Sequence, residues 1–247
     1  MITMNLENKT ILITGGSSGI GRATAIACAQ AGARVVILGR DESNLEKTIN
    51  LMEGTGHLYK VFDFNNRYDY DNLFREIVGE VGKLDGLVHS AGVSAVIPLK
   101  VLSREKMLEV MNVNYFSFIG LVKEYSKKGN SNGGSIVGIS SIVVERGEQC
   151  QTIYAATKAA MEASVKCLAI ELAPKNIRIN TVMPGMIRTE MMERVLDNGS
   201  QGNVLGSASV LGIGQPEQVA NSVIFLLSEL SSHTTGRAVY VDGGCLL

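Results

Sequence analysis

Short runs rich in valine, isoleucine and leucine recur along the chain at 10–14, 34–38, 58–62, 85–89, 134–140, 177–183 and 237–241, and helical patterns fall between them. Apolar runs without polar alternation suit strands covered on both faces. The intervening patterns predict helices at about 19–31, 42–53, 68–81, 103–128, 152–173 and 215–228. Gly32, Gly54-Thr55-Gly56 and Gly82 follow helical stretches and read as stops. Strands alternating with helices imply right-handed crossovers and a parallel sheet. The expected fold class is thus α/β, a doubly wound parallel sheet of about seven strands with helices on both faces. At 247 residues, without a Pro/Ser-rich linker, a repeat or a low-complexity stretch, the chain is expected to form one domain over 1–247. Its least regular part is the segment 189–212, where Met191-Met192 precedes Asp197-Asn198-Gly199-Ser200 and Gly202. Such a segment is either a flap over the ligand crevice or a loose surface loop.

The first apolar run, Ile11-Leu12-Ile13, leads into Thr14-Gly15-Gly16-Ser17-Ser18-Gly19-Ile20-Gly21 and then into a small-residue helical pattern (Ala23, Ala25, Ile26, Ala27, Ala29). A glycine-rich turn that leaves a buried strand and opens a helix presents bare backbone N–H groups. The helix dipole adds partial positive charge at the same point. Side chains would block a close approach, so glycines occupy the contact points. A lone glycine turn is also compatible with an ordinary tight turn. With the strand before it and the helix after it, the turn reads as a phosphate cradle of Rossmann type, at the point where strand order reverses.

Charge and composition exclude several classes. The net charge of −1 and the lack of a basic block speak against nucleic acid or an anionic membrane surface as partner. No apolar run approaches the ~20 residues of a membrane span, and no signal-peptide pattern opens the chain. Cys28, Cys150, Cys167 and Cys245 are scattered without a Cys-x-x-Cys pair, and Cys28 and Cys167 fall on apolar helix faces that suit small buried thiols. A reducing cytoplasm is the expected location. His57, His89 and His233 lie far apart, so no metal site is expected.

Ser141, Tyr154 and Lys158 are the candidates for chemistry. In Tyr154-Ala155-Ala156-Thr157-Lys158 the tyrosine and lysine stand at i and i+4, on one helix face and about 6 Å apart along the axis. A free phenol, with a pKa near ~10, is a poor base at neutral pH. A nearby lysine cation favours phenolate and is expected to lower that pKa by roughly 1–3 units. The tyrosine could then exchange a proton with a carbonyl/alcohol pair. Ser141 ends the apolar strand 135–139, where its hydroxyl could hold a substrate oxygen beside the phenol. Taken alone, a half-buried tyrosine with a snorkelling lysine also explains such a pair.

Together these motifs resemble the short-chain dehydrogenase/reductase family, in its shorter single-domain branch, over nearly the whole chain. They comprise Thr-Gly-x-x-x-Gly-Ile-Gly at 14–21, Ala91-Gly92, Asn114, Ser141 thirteen residues before Tyr154, Lys158, Pro184-Gly185-x-x-x-Thr189 and the terminal Asp242-Gly243-Gly244. The pattern looks most like 3-oxoacyl-(acyl-carrier-protein) reductases. The resemblance implies NAD(P)-dependent hydride transfer, with Tyr154 as proton donor/acceptor and Ser141 orienting the substrate carbonyl. Lys158 would hold the nicotinamide ribose hydroxyls, and Asn114 would anchor a water linking Lys158 to solvent. From the residues alone, Asn114 is a polar residue in an apolar helix that satisfies backbone groups. Cofactor contacts are implied at Gly15, Ser17, Ser18, Gly19, Ile20 and Gly21, at Asp63 and Phe64, at Ser90, Ala91 and Gly92, at Tyr154 and Lys158, and at Pro184, Gly185, Ile187 and Thr189. Asp63 would accept from the adenine amine, and Thr189 would meet the nicotinamide amide.

The chain departs from the family at His89-Ser90-Ala91-Gly92, where Asn-Asn-Ala-Gly is usual. Serine can still donate and accept one bond, and His89 reads as a satisfied core histidine rather than a catalytic one. Val35-Val36-Ile37-Leu38 ends in Gly39-Arg40, not in an acidic residue. A carboxylate there would accept from a ribose 2′-OH and repel a 2′-phosphate, whereas Gly39 leaves room and Arg40 offers a fork for phosphate. NADP(H) is therefore expected over NAD(H), the alternative for Arg40 being a surface pair with Asp41.

Ser94, Val143, Val144, Gln151, Met186, Met191 and Met192 are expected to wall the substrate site with an adaptable, largely apolar surface. The resembled reductases commonly carry basic residues at the site mouth to meet an acidic carrier protein; Lys175 and Lys127-Lys128 are the candidates here, although Asn130-Ser131-Asn132-Gly133-Gly134 is neutral. A sugar or polyol dehydrogenase, another secondary-alcohol dehydrogenase and a non-catalytic nucleotide-binding sensor are the alternatives. Helices 103–128 and 152–173 carry apolar or small residues on more than one face, among them Met111, Val113, Phe116, Phe118, Ala155, Ala156, Ala159, Ala160 and Met161. Such helices are either buried all round or packed on a partner subunit, and the resemblance favours a homotetramer, with Phe118 taken as an outward position.

Overall fold

The computed structural model of the protein describes residues 4–66, 68–197 and 209–247. Within them, β1 (Thr10–Thr14), β2 (Arg34–Gly39), β3 (Leu58–Val61), β4 (Leu84–His89), β5 (Ser131–Ile139), β6 (Ile177–Pro184) and β7 (Ala238–Val241) form one parallel sheet in the order β3-β2-β1-β4-β5-β6-β7. The chain passes outward from β1 to β3 and returns to pair β4 with β1, Thr14 standing in register with His89. That reversal opens a crevice at the carboxyl ends of β1 and β4. The expected α/β doubly wound sheet with seven parallel strands is what the chain forms.

Both sheet faces are covered, which explains the unbroken apolar runs. Leu12, Val36, Leu87, Ile136 and Ile179 pack under α3 (Tyr70–Val81), α5 (Ser117–Tyr125) and α6 (Thr152–Leu172), against Phe74, Leu121 and Met161. Their neighbours in sequence, Ile11, Ile13, Val35, Ile37, Val88, Val137 and Val182, face the other way. They meet Ala25 and Cys28 of α1 (Gly19–Gln30), Leu45 of α2 (Glu42–Leu51) and Val219 and Val223 of α8 (Pro216–Leu227).

Four sequence expectations need correction. The stretch 103–128 is not one regular helix: α4 (Arg104–Met111) runs through a π-helical turn at Asn112–Phe116 into α5. Tertiary bonds accompany that wider turn, because the Asn114 side chain is drawn to Val93 and Thr157. Phe118 is fully buried beside Gly138 and His89, whereas Phe116 points outward. Cys28 is buried as expected, but Cys167 is exposed on α6. Residues 190–197 form a helix, α7 (Glu190–Asp197), so the segment 189–212 is not wholly irregular; its part at 198–208 lies outside the described residues.

Candidate active site

The glycine turn sits at the head of the crevice. Gly15 has φ +70, and a Cβ there would stand 2.8 Å from the Ala91 amide nitrogen, so the turn lies directly on the loop after β4. A Cβ on Gly21 would stand 2.1 Å from the Gly15 carbonyl oxygen, which lets α1 begin immediately under the turn. Ser18, the N-cap of α1, is extended and makes no capping bond with its side chain. A twelve-residue helix thus presents its first amides beneath a turn that carries no side chain at Gly15, Gly16, Gly19 and Gly21, and this arrangement fits a pyrophosphate. Gly19 has φ +51 and faces Thr189, whose Cγ2 would be 3.2 Å from a Cβ, so these two expected cofactor residues meet. Thr14 Oγ1 accepts from the Ser90 and Ala91 amides at 3.1 and 2.9 Å and so ties the ends of β1 and β4 together.

Around the end of β2, Gly39 is packed between Ser17 and Leu45, and Arg40 is exposed. Asp41 does not turn to Arg40: it caps α2 by accepting from the Asn44 amide at 3.0 Å, and that bond holds its carboxyl below the usual range. Sequence reasoning missed Arg22. Its guanidinium donates to the Ser17 carbonyl and to Thr48 Oγ1, which fixes the turn and places a second cation close enough to act on Asp41. A basic residue three positions after Gly19 was the available signal.

Other expected cofactor residues are brought to this edge with qualifications. Asp63 lies two residues beyond β3, but its carboxylate already accepts from the Asn65 amide and the Asn66 side chain. The Phe64 side chain is buried against Phe62, Tyr70 and His89, which leaves only its backbone for a ligand. Pro184 ends β6, Gly185 donates to the Val241 carbonyl at 3.0 Å, and buried Ile187 bridges to Gly214.

Across the crevice, Ser141 leaves β5 in extended conformation, while Tyr154 and Lys158 project from the first turns of α6. Burial pushes the Tyr154 phenol above its ordinary value, and a hydrogen bond from Ser141 draws it partly back. The expected lowering by Lys158 is not found, because the ammonium is itself turned to the Ile139 carbonyl, 2.7 Å away, with Nζ 5.8 Å from the centre of the Tyr154 ring. Burial lowers the Lys158 pKa to about 8, and Glu162 opposes that shift. A Cβ on Gly92 would lie 3.7 Å from Lys158 Nζ and 3.5 Å from Asn114 Oδ1, so the loop after β4 closes on the same groups. Asn114 is fully buried; it accepts from the Val93 amide at 2.8 Å and donates to the Val93 carbonyl and to Thr157 Oγ1. Its side chain satisfies backbone, as the residues alone suggested.

Of the expected substrate wall, Val143 is buried and donates its amide to Ser141 Oγ, and Gln151 is paired with Glu148. Ser94 lies on the loop after β4, Met186 on the loop after β6 and Met191 is exposed in the first turn of α7, all at the carboxyl edge of the sheet. The candidate basic residues are at the other edge. Lys127 and Lys128 immediately precede β5 and Lys175 precedes β6, so they cannot flank this mouth. Among the described residues, no group of three or more His, Cys, Asp or Glu side chains is placed to hold a metal, and no helix is long and apolar enough to cross a membrane.

A family profile described as enoyl-(acyl carrier protein) reductase matches residues 15–245. The chain is 36% identical to the 3-oxoacyl-(acyl-carrier-protein) reductase FabG of Thermotoga maritima, over 99% of this chain and 100% of that protein. The chain belongs to the short-chain dehydrogenase/reductase family. As a short-chain dehydrogenase/reductase it is an NAD(P)-dependent oxidoreductase. Another relative in the family, the L-rhamnose 1-dehydrogenase (NAD(P)(+)) of Azotobacter vinelandii, is 34% identical over 98% of each chain. A family structure from Agrobacterium tumefaciens with bound NADP superimposes with a TM-score of 0.89 at 28% identity, over 98% of each chain.

Proposed function

We propose that this short-chain dehydrogenase/reductase uses NADP(H) to interconvert a carbonyl and a secondary alcohol, with a 3-oxoacyl thioester as the carbonyl substrate. The observation that carries this reading is Ser141 hydrogen-bonded to Tyr154, with Lys158 one helical turn on, across the crevice from the Gly15–Gly21 cradle. The cradle, Ser90–Gly92 and Thr189 would hold the dinucleotide, and Arg40 with Arg22 behind Ser17 would face a 2′-phosphate. When bound, the nicotinamide supplies the hydride for reduction or takes it in oxidation. Tyr154 donates its phenolic proton to the oxygen that becomes the alcohol, and a phenol kept protonated by burial suits that direction. Ser141 donates to the same oxygen and fixes the carbonyl beside the phenol. Lys158, one helical turn beyond Tyr154, would hold the ribose hydroxyls of the nicotinamide half.

The outward faces of α4 and α6 support a homotetramer. Leu108 of α4, Phe116 of the π-helical turn after it and Ile170 of α6 are exposed, as are the small residues Ala156, Ala159 and Ala163 of α6. The free cysteines support a reducing cytoplasm as the location. The rhamnose dehydrogenase relative supports a sugar substrate as the second reading. Purified enzyme with NADPH, offered 3-oxoacyl thioesters on coenzyme A and on carrier protein and, in oxidation with NADP, a panel of aldoses, separates the two by nicotinamide absorbance. Faster turnover of the thioesters is expected; turnover of aldoses alone would replace the thioester assignment.

A further inference from the structure

His89 is fully buried at the end of a central strand, between the turn that cradles the dinucleotide and the π-helical turn of Asn114. Its proton positions are forced. Thr14 Oγ1 already accepts two backbone amides, from Ser90 and Ala91, so its one hydrogen is free for His89 Nδ1, 3.1 Å away. Nδ1 therefore accepts, and the ring hydrogen sits on Nε2. Nε2 faces Ser117 Oγ at 3.4 Å, and Ser117 passes its own hydrogen to the Val113 carbonyl at 2.6 Å. The carbonyls of Val113 and Asn114 also face the ring. Every donor points the same way, from cradle to π turn. From there the Asn114 side chain donates to Thr157 Oγ1 at 3.1 Å, and Thr157 donates to the Tyr154 carbonyl at 2.7 Å.

We infer that His89 is a positioning residue: a neutral Nε2–H imidazole that locks the dinucleotide turn to the turn bearing Asn114 and thereby sets Tyr154 and Lys158 relative to the cofactor. This rests on the reading of Tyr154 and Lys158 as the reacting groups. Burial and then the charge of Lys158 lower the His89 pKa to about 3, which fits a ring kept neutral. Phe64 and Phe118 pack on the ring with centroids 6.3 and 5.6 Å away, so a mere filler role would predict that leucine serves as well.

Nitrogen-15 NMR of the histidine rings in the full cofactor-free protein tests the tautomer without any substrate. The His89 signals, assigned by their loss in His89→Gln, are expected to show a protonated Nε2 and a bare Nδ1, unchanged between about pH 8 and pH 5. An Nδ1–H ring, or one that titrates in that range, would overturn the inference. In steady-state assays, His89→Leu is expected to lose kcat by at least about tenfold with the carbonyl-substrate KM within about threefold, and His89→Gln, which keeps a donor at the Nε2 position, to recover most of it. Equal kcat in the leucine variant and the wild type, or equal losses in both variants, would reduce His89 to packing. A wild type inactive on every carbonyl offered would defeat the proposed substrate reading alone, because the tautomer is read independently of turnover.

Discussion

Lys158 donates to the Ile139 carbonyl at 2.7 Å, and this bond ties the helix carrying Tyr154 to the strand end that delivers Ser141. The ammonium is held inside the protein by a backbone acceptor rather than by a carboxylate. Burying a cation this way lowers stability in exchange for a fixed positive charge beside the phenol.

The first prediction follows from that burial. Lys158 is 4% exposed, and its pKa falls from 10.5 to about 8 on folding. Between those values the unfolded chain binds more protons, so stability rises with pH across the window, and the full cost is present below about pH 8. The shift corresponds to about 3 kcal/mol, less about 1 for the lost hydrogen bond. Lys158→Met is therefore expected to be more stable than wild type by about 2 kcal/mol at pH 7, an advantage that shrinks above pH 8 while activity is lost. Urea denaturation at several pH values checks this, and a less stable variant at pH 7 would contradict it.

Arg40 governs cofactor choice in the second prediction. A Cβ on Gly39 would stand 3.1 Å from Leu45 Cδ2 and 3.2 Å from Ser17 Oγ, a tight fit, so Arg40 is the position to change. Arg40→Ala is expected to weaken NADPH binding by about tenfold or more and to leave NADH affinity nearly unaltered. Fluorescence titration measures both, and equal effects on the two cofactors would remove Arg40 from the phosphate site.

Assembly gives the third. Sedimentation is expected to return about four times the 26.4 kDa chain mass. Phe116 is 44% exposed on the monomer, so Phe116→Asp is expected to yield smaller species, an unpaired charge in an apolar interface costing several kcal/mol. A monomeric wild type at micromolar concentration would refute the tetramer.

A fourth prediction concerns α7, anchored where Thr189 meets Gly19 and accepts from the Met192 amide at 3.3 Å. A helix held at a proposed cofactor contact is expected to close when the cofactor binds. Amides at 190–197 are expected to exchange fast without cofactor and slowly with NADPH, while 11–14 and 135–139 stay protected in both states. Unchanged exchange at 190–197 would make α7 a fixed part of the wall.

The sheet, the glycine turn and the convergence of Ser141, Tyr154 and Lys158 were legible because each is written locally, in apolar runs, glycine spacing and an i, i+4 pair. What escaped depends on tertiary partners. Helical periodicity through 103–128 does not reveal the wider turn at Asn112–Phe116, where Asn114 is drawn to Val93 and Thr157, nor that Phe118 turns inward and Phe116 outward. The lowering of the Tyr154 pKa was expected from the sequence spacing of Lys158, yet burial acts more strongly on the phenol and a backbone carbonyl holds the lysine. The misplaced Lys127, Lys128 and Lys175 were recoverable in principle, since a crossover helix runs back against its strand and ends at the sheet's amino edge.

In the proposed reaction Tyr154 moves the proton while the rest of the site holds the cofactor. NADPH oxidation with a 3-oxoacyl thioester, measured for wild type and Tyr154→Phe alongside NADPH affinity, tests it most directly. The phenylalanine variant is expected to show a kcat lower by ~10²–10⁴ with NADPH affinity nearly unchanged. A phenylalanine variant that turns over within a few-fold of wild type would contradict it.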